Sequence, residues 1–175
     1  GLECLPLRLR FTIPAKMVGA QQRIEVFHGD IYVLEINARI GDPEAQTLFE
    51  LMEADLFHVL WACAHDKLNE VQIDWRSNTY SVCVALCSAG YPQGSSADVP
   101  IFGVDKIGKK SGITLYHSGT YYRDGQYFAI GGKRVLYIVS CETTVEKARQ
   151  MVYDTVSHVY FDGMQYRRDI GIPIK

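Results

Sequence analysis

Apolar and polar residues alternate near the start of the chain in a pattern that predicts two paired strands. Residues 23–27 and 31–37 are extended runs, and His28-Gly29-Asp30 between them is typical of a hairpin turn. Residues 1–22 show only a short alternation of leucines with proline and arginine, and they belong to no motif found later. The chain is therefore expected to open with an atypical segment followed by a β-hairpin.

Helical spacing follows the hairpin. Residues 41–44, Gly-Asp-Pro-Glu, predict a helix start. Asp42 can cap free amides, a proline fits the first helical position, and a glutamate suits the positive end of the helix dipole. Apolar residues then recur every three or four positions across 48–63. One long helix or two consecutive helices would both satisfy this spacing, with Asp55 as the cap of a second helix.

The second half of the chain changes to short strand patterns. A polar stretch at 65–75 predicts a linker into a new unit. Beyond it, strands are predicted at residues 82–87, 113–118, 121–123, 127–130 and 134–140. Asp124-Gly125 indicates a hairpin turn between two of them. A last helix is predicted over 143–159, opened by a capping box of Thr143 and Glu146. The order of elements therefore predicts an α+β fold.

The composition is ordinary for a globular protein and excludes few classes. Of the 175 residues, 47% are hydrophobic and 22% are charged. The formal net charge of −2 gives no basic excess for a phosphate backbone, and no uncharged apolar run reaches the length of a membrane span. Neither nucleic acid nor a membrane is therefore expected as a partner. The five cysteines lack C-x-x-C spacing, so we expect free thiols in the cytoplasm.

The candidate chemistry lies in the second predicted strand. Alternate side chains of a strand share a face, so Glu35, Asn37 and Arg39 would lie in one polar row. Carboxylate and amide oxygens suit a hard cation such as Mg²⁺, and a guanidinium suits phosphate or acyl-phosphate oxygens. The row is compatible with a nucleotide–metal site. A polar row on a half-exposed strand is also a common structural feature, so the pattern alone leaves both interpretations open.

Residues 34–46, Leu-Glu-Ile-Asn-Ala-Arg-Ile-Gly-Asp-Pro-Glu-Ala-Gln, closely resemble the signature of the glycinamide ribonucleotide synthetase (phosphoribosylamine–glycine ligase) family of ATP-grasp ligases. Further stretches resemble the family in the same order: Ser88-Ala89-Gly90-Tyr91-Pro92, Tyr116-His117-Ser118-Gly119-Thr120, the Gly-Gly-Lys-Arg-Val-Leu run at 131–136 and the ending at 161–171. The resemblance extends over about residues 30 to 171, and several motifs in register make it specific.

The resemblance implies an ATP-driven ligation of glycine to 5-phosphoribosylamine in purine synthesis, with ATP and Mg²⁺ (or Mn²⁺) as cofactors. It implies that Glu35 and Asn37 bind the metal ion on the ATP phosphates. Arg39 would act as a catalytic residue on the transferring phosphoryl group, and Asp42 would position a substrate.

The resemblance also implies a division of the chain. Residues 1–76 would be the end of an ATP-grasp domain, and residues 77–175 a small, mostly antiparallel sheet domain with one packing helix. The family enzymes are much longer, so the chain is expected to need a missing N-terminal part and to be inactive alone. A non-catalytic interaction or structural module derived from the family is the alternative. A related ATP-grasp carboxylase or ligase is a weaker alternative, because residues 41–44 argue against it.

Overall fold

The computed structural model describes residues 21–27, 30–37, 40–107 and 112–172, and for residues 21–37 it describes the backbone alone. The chain divides into two compact units, Gly1–Ala45 and Gln46–Lys175. The domain boundary that we expect after residue 76 stays a prediction. Within the described ranges, no helix combines the length and the apolar character that crossing a membrane requires.

The first unit contains the predicted hairpin strands. Strand β1 (Gln21–Phe27) pairs antiparallel with β2 (Asp30–Asn37), which confirms the two extended runs. The register shifts once, between Arg23 and Ile24. The predicted turn residues His28 and Gly29 lie outside the described residues.

Two consecutive helices follow rather than one long helix. Helix α1 (Glu44–Leu51) is succeeded by α2 (Leu56–Ala64). The Asp55 carboxylate accepts a hydrogen bond from the Phe57 amide at 2.8 Å, so the predicted second cap is confirmed. A residue of this kind satisfies one of the amides that a helix start leaves without a partner.

The predicted polar linker returns to the end of α1. The Glu53 amide donates a hydrogen bond to the Asp74 carbonyl in the linker. The Arg76 amide, directly after the linker, donates to the Leu51 carbonyl, and both distances are 2.8 Å. A short 3-10 turn, Leu68–Glu70, lies within it. The segment is therefore held by backbone hydrogen bonds at its far end.

Two small antiparallel sheets follow in the part of the chain that the structure describes. Their strands are β3 (Tyr80–Cys87), β4 (Val99–Pro100), β5 (Ile113–His117), β6 (Thr120–Arg123), β7 (Gln126–Ala129) and β8 (Arg134–Glu142). The sheet orders are β3-β8-β5 and β4-β7-β6. Asp124 and Gly125 have φ of 51° and 81° between β6 and β7, as a two-residue turn matched to strand twist requires. The α+β class with antiparallel sheets is confirmed.

Helix α3 (Val145–Val156) closes the core by packing on β3 and β8. It buries Ala148, Val152, Thr155 and Val156 against apolar side chains of the β3-β8-β5 sheet. This spacing of three and four residues places them on one face. The described cysteines, at 63, 83, 87 and 141, form no disulfide.

The start and end of α3 differ from the prediction. The capping residue is Thr144 instead of Thr143, because Thr144 has the extended backbone (φ −142°, ψ 156°) and its hydroxyl accepts from the Lys147 amide at 3.2 Å. The helix ends at Val156, before the predicted Val159. Val159 still joins the core, at 2% exposure, because a tight turn after the helix directs the chain back onto it.

Candidate functional site

Strand β2 places Glu35 and Asn37 two positions apart. They pair with Arg23 and Gln21 of β1, and the register shift lies on the other side of Glu35, so pairing is regular between them. Residues two apart on a strand are separated by about 6.5–7 Å along the backbone. The side chains of both residues, and all of Arg39, lie outside the described residues. Their roles as metal ligands and as a catalytic residue stay predictions.

Asp42 lies in the turn that leads into α1. Next to it, the Gly41 amide donates to the Glu44 carboxylate, and the Ala45 amide donates to the Gly41 carbonyl, both at 3.0 Å. Glu44 thus reaches back over the helix start, as an acidic residue in the first turn does in a capping box. Helix α1 begins at Glu44, two residues after Asp42, and the substrate role of Asp42 stays a prediction.

The predicted donor set is chemically suited to magnesium. One carboxylate and one amide oxygen, two positions apart on a strand, match the few protein ligands that Mg²⁺ takes when it is also bound to phosphates. Elsewhere, across 40–107 and 112–172, no cluster of three or more His, Cys, Asp or Glu side chains could hold a metal ion. The metal prediction therefore depends on the β2 strand.

Three of the stretches that carry the resemblance meet around Ser88. Its hydroxyl donates to the Ile130 carbonyl at 2.8 Å and accepts from the Lys133 amide at 2.9 Å. The Gln165 side-chain amide donates to the carbonyls of Ser88 and Tyr91, at 3.0 and 3.1 Å. Residues far apart in sequence are thereby joined into one hydrogen-bond network around the buried Ser88 side chain. Single-sequence spacing carries no signal for this contact.

The Gly131-Gly132 turn belongs to this network. A Cβ on Gly131 would collide with the Ser96 carbonyl, and one on Gly132 with the Gly94 carbonyl. Gly132 also has φ of 69°, which favours glycine. The backbone of the 94–96 loop occupies the space beside the turn, so the two glycines permit close packing against that loop.

Tyr116 makes a contact that the sequence did not indicate. Its hydroxyl donates to the Glu50 carboxylate of α1 at 2.5 Å. Burial, reinforced by the hydrogen bond to Glu50, raises the pKa of Tyr116 above its usual value. The phenol therefore stays protonated and acts as a donor that joins α1 to β5.

His117, the neighbouring residue, has a packing role. Its Nδ1 lies 3.0 Å from the Thr120 hydroxyl, and its ring packs at 4.5 Å from the Tyr127 ring. Burial lowers the pKa of His117, which favours the neutral imidazole. These contacts give His117 a structural role between β5 and the β6–β7 pair.

The end of the chain is fastened to α3. The Arg149 guanidinium donates to the carbonyls of Arg168 and Ile170, at 2.8 and 3.1 Å. The Tyr153 hydroxyl donates to the Arg167 carbonyl at 2.7 Å. Arg167 itself pairs with Asp169 at 2.6 Å on the surface. A local ion pair between two exposed side chains of this kind adds little to stability.

Comparison with known proteins identifies the family to which the chain is similar. The model of the phosphoribosylglycinamide synthetase C domain matches residues 81–173. The phosphoribosylamine–glycine ligase of Fusobacterium nucleatum is 33% identical over 86% of this chain and 36% of its own length. The phosphoribosylamine–glycine ligase of Ralstonia nicotianae is 38% identical over 79% of this chain and 32% of its own length. A trifunctional purine biosynthetic protein of Gallus gallus is 35% identical over 79% of this chain and 14% of its own length.

A solved structure agrees. The phosphoribosylamine–glycine ligase of Thermotoga maritima superposes with a TM-score of 0.61 at 27% identity, covering 83% of this chain and 35% of that protein. The chain thus spans about a third of the length of these ligases. Because the C-domain model matches more than half of its residues, the chain belongs to the phosphoribosylglycinamide synthetase family, as a C-terminal part of it.

Proposed function

We propose that this chain is the C-terminal portion of an ATP-dependent ligase that joins glycine to 5-phosphoribosylamine in purine synthesis. The observation that carries the proposal is the extent of the similarity. The C-domain model begins at residue 81, whereas the match to the Fusobacterium nucleatum ligase covers 86% of the chain. The similarity to ligases therefore continues into the segment before the C domain, toward the strand with the predicted metal ligands.

The proposed roles follow from the chemistry of the residues. Glu35 and Asn37 supply a carboxylate and an amide oxygen for Mg²⁺, or Mn²⁺, on the ATP phosphates, and the ion would neutralise their negative charge. Arg39 offers a fork of donors to the phosphoryl group as it is transferred to the glycine carboxylate. Asp42, at the start of α1, positions a substrate.

The proposed division of labour assigns residues 1–76 to the end of an ATP-grasp domain and residues 77–175 to the small C-terminal domain. The chain spans about a third of the ligases it matches, so most contacts to ATP and to the amine are assigned to the remaining part of the enzyme. The cysteines at 63, 83, 87 and 141 form no disulfide, which is compatible with a reducing compartment, and we propose the cytoplasm.

An activity assay separates the ligase from a non-catalytic module. The chain alone, given glycine, 5-phosphoribosylamine, ATP and Mg²⁺, is expected to produce no ADP that depends on both substrates. When the remaining part of the ligase is restored, substrate-dependent ADP production is expected. Activity of the chain alone would refute the incomplete-site proposal, and a restored enzyme without activity would favour the module.

A further inference from the structure

Helix α2 exposes an apolar surface. Its sequence, LFHVLWACA, contains no Asp, Glu, Lys or Arg, yet only Ala62 is buried. Phe57, Leu60 and Trp61 expose 73%, 59% and 47% of their surface. Their spacing of three and four residues places them side by side, and we refer to these three residues as the α2 face. A helix that is apolar on all sides is typical of one enclosed in a larger domain.

The aromatic centre of the α2 face is already ordered. The Trp61 ring stacks on the His65 ring with centroids 3.6 Å apart, and His65 Nδ1 lies 2.7 Å from the Trp61 carbonyl. A tryptophan whose rotamer is fixed loses less conformational freedom on association. Tryptophan is also among the residues that contribute most to protein interfaces.

The chemistry of the helix favours a protein partner over a lipid surface. Helices that lie on membranes usually present lysine or arginine beside their apolar face, and α2 has neither. The surface instead matches a complementary apolar patch on protein, where a contiguous group of large exposed side chains marks an interaction site.

The position of α2 in the sequence identifies the partner. The helix precedes residue 81, where the C-domain match begins, and about two thirds of the length of the ligases has no counterpart in this chain. Since the matched part is the C domain, that additional length precedes it in the ligases. We propose that the α2 face is the surface on which the remaining part of the ligase docks. This inference rests on the proposed function, because it takes the partner from the same enzyme.

Photo-crosslinking tests the inference in the cells that make the protein. Phe57 is replaced by p-benzoylphenylalanine, a conservative change at an exposed site, and the crosslinked peptides are identified by mass spectrometry. Peptides from the part of the ligase that precedes the C domain are expected, whether it is joined to this chain or separate. The same probe at Tyr122, 62% exposed on β6, is the control and should not capture them.

Crosslinks confined to these 175 residues, to a second copy of them, to lipid or to an unrelated protein would overturn the inference, as would the absence of crosslinks. With the probe at position 57, the double variant Leu60→Ser, Trp61→Ser should reduce the crosslink yield by about tenfold or more. Tyr160→Ser, at a residue equally exposed at 59%, should leave the yield unchanged. An equal loss in both variants would contradict a specific α2 face.

The crosslinking experiment tests the docking surface, and the activity assay tests the proposed reaction, so each can be refuted without the other. Crosslinks to the remaining part of the ligase without ADP production would support the docking surface and refute the proposed reaction. ADP production without those crosslinks would support the proposed reaction and refute the docking surface.

Discussion

The Tyr116 hydroxyl connects two elements that are far apart in sequence, since it donates to the Glu50 carboxylate from a distance of 2.5 Å. Hydrogen bonds to charged groups stabilise proteins more than neutral ones, by about 1.5–3 kcal/mol when they are well shielded. The contact is partly buried, so its contribution should lie toward the lower end. No spacing rule could have predicted it, because sequence periodicity reports only local neighbours.

Tyr116→Phe removes this hydroxyl alone. We expect the free energy of unfolding to fall by about 1–2 kcal/mol, measured by urea denaturation at pH 7. Tyr122→Phe removes a hydroxyl from a side chain that is 62% exposed and should change it by less than about 0.5 kcal/mol. Equal effects of the two variants would contradict the importance of the Glu50 contact.

The raised pKa of Tyr116 adds a pH dependence. The folded state holds the phenolic proton more tightly than the unfolded chain, whose tyrosine titrates at 10.0. The stability that this proton contributes is complete below pH 10 and is lost as pH rises from there toward the folded pKa. The wild-type chain should therefore lose stability above about pH 10 more steeply than Tyr116→Phe. Parallel pH profiles would show that the tyrosine is not shifted.

Among the elements, the start of α3 gives the sharpest comparison between sequence and structure. Thr143 and Thr144 are adjacent, both can cap a helix, and the apolar face tolerates a shift of one residue. Only the backbone conformation at Thr144 decides between them. The strands were predictable because alternation is local, whereas β4 was missed because two residues carry no pattern and their pairing with β7 is a tertiary contact.

Removing each threonine hydroxyl tests the assignment. Thr144→Ala should lower the free energy of unfolding by about 1 kcal/mol, because the Lys147 amide loses its acceptor. Thr143→Ala is the matched control, with an expected change below about 0.5 kcal/mol. A larger loss in the Thr143 variant would restore the capping box that the sequence predicted.

For the whole molecule, the sequence supplied the family and the candidate site by different routes. Family membership followed from motifs in the right order and is confirmed by the C-domain match. The network around Ser88 explains why the separate stretches 88–92, 131–136 and 161–171 occur together, and only the folded structure brings them into contact. The site on β2 rests on strand alternation and on the resemblance.

The most direct test of the account is the kinetics of Glu35→Gln in the ligase with its remaining part restored. This change keeps the shape of the side chain and removes the charge that is proposed to bind Mg²⁺. We expect kcat to fall by about a hundredfold or more, the scale of losing one preorganised electrostatic contact, with the melting temperature nearly unchanged. Glu25→Gln on β1 makes the same chemical change in the same hairpin and should leave kcat near the wild-type value. Near-normal turnover of Glu35→Gln at saturating Mg²⁺ would contradict the assignment of β2 as the metal strand.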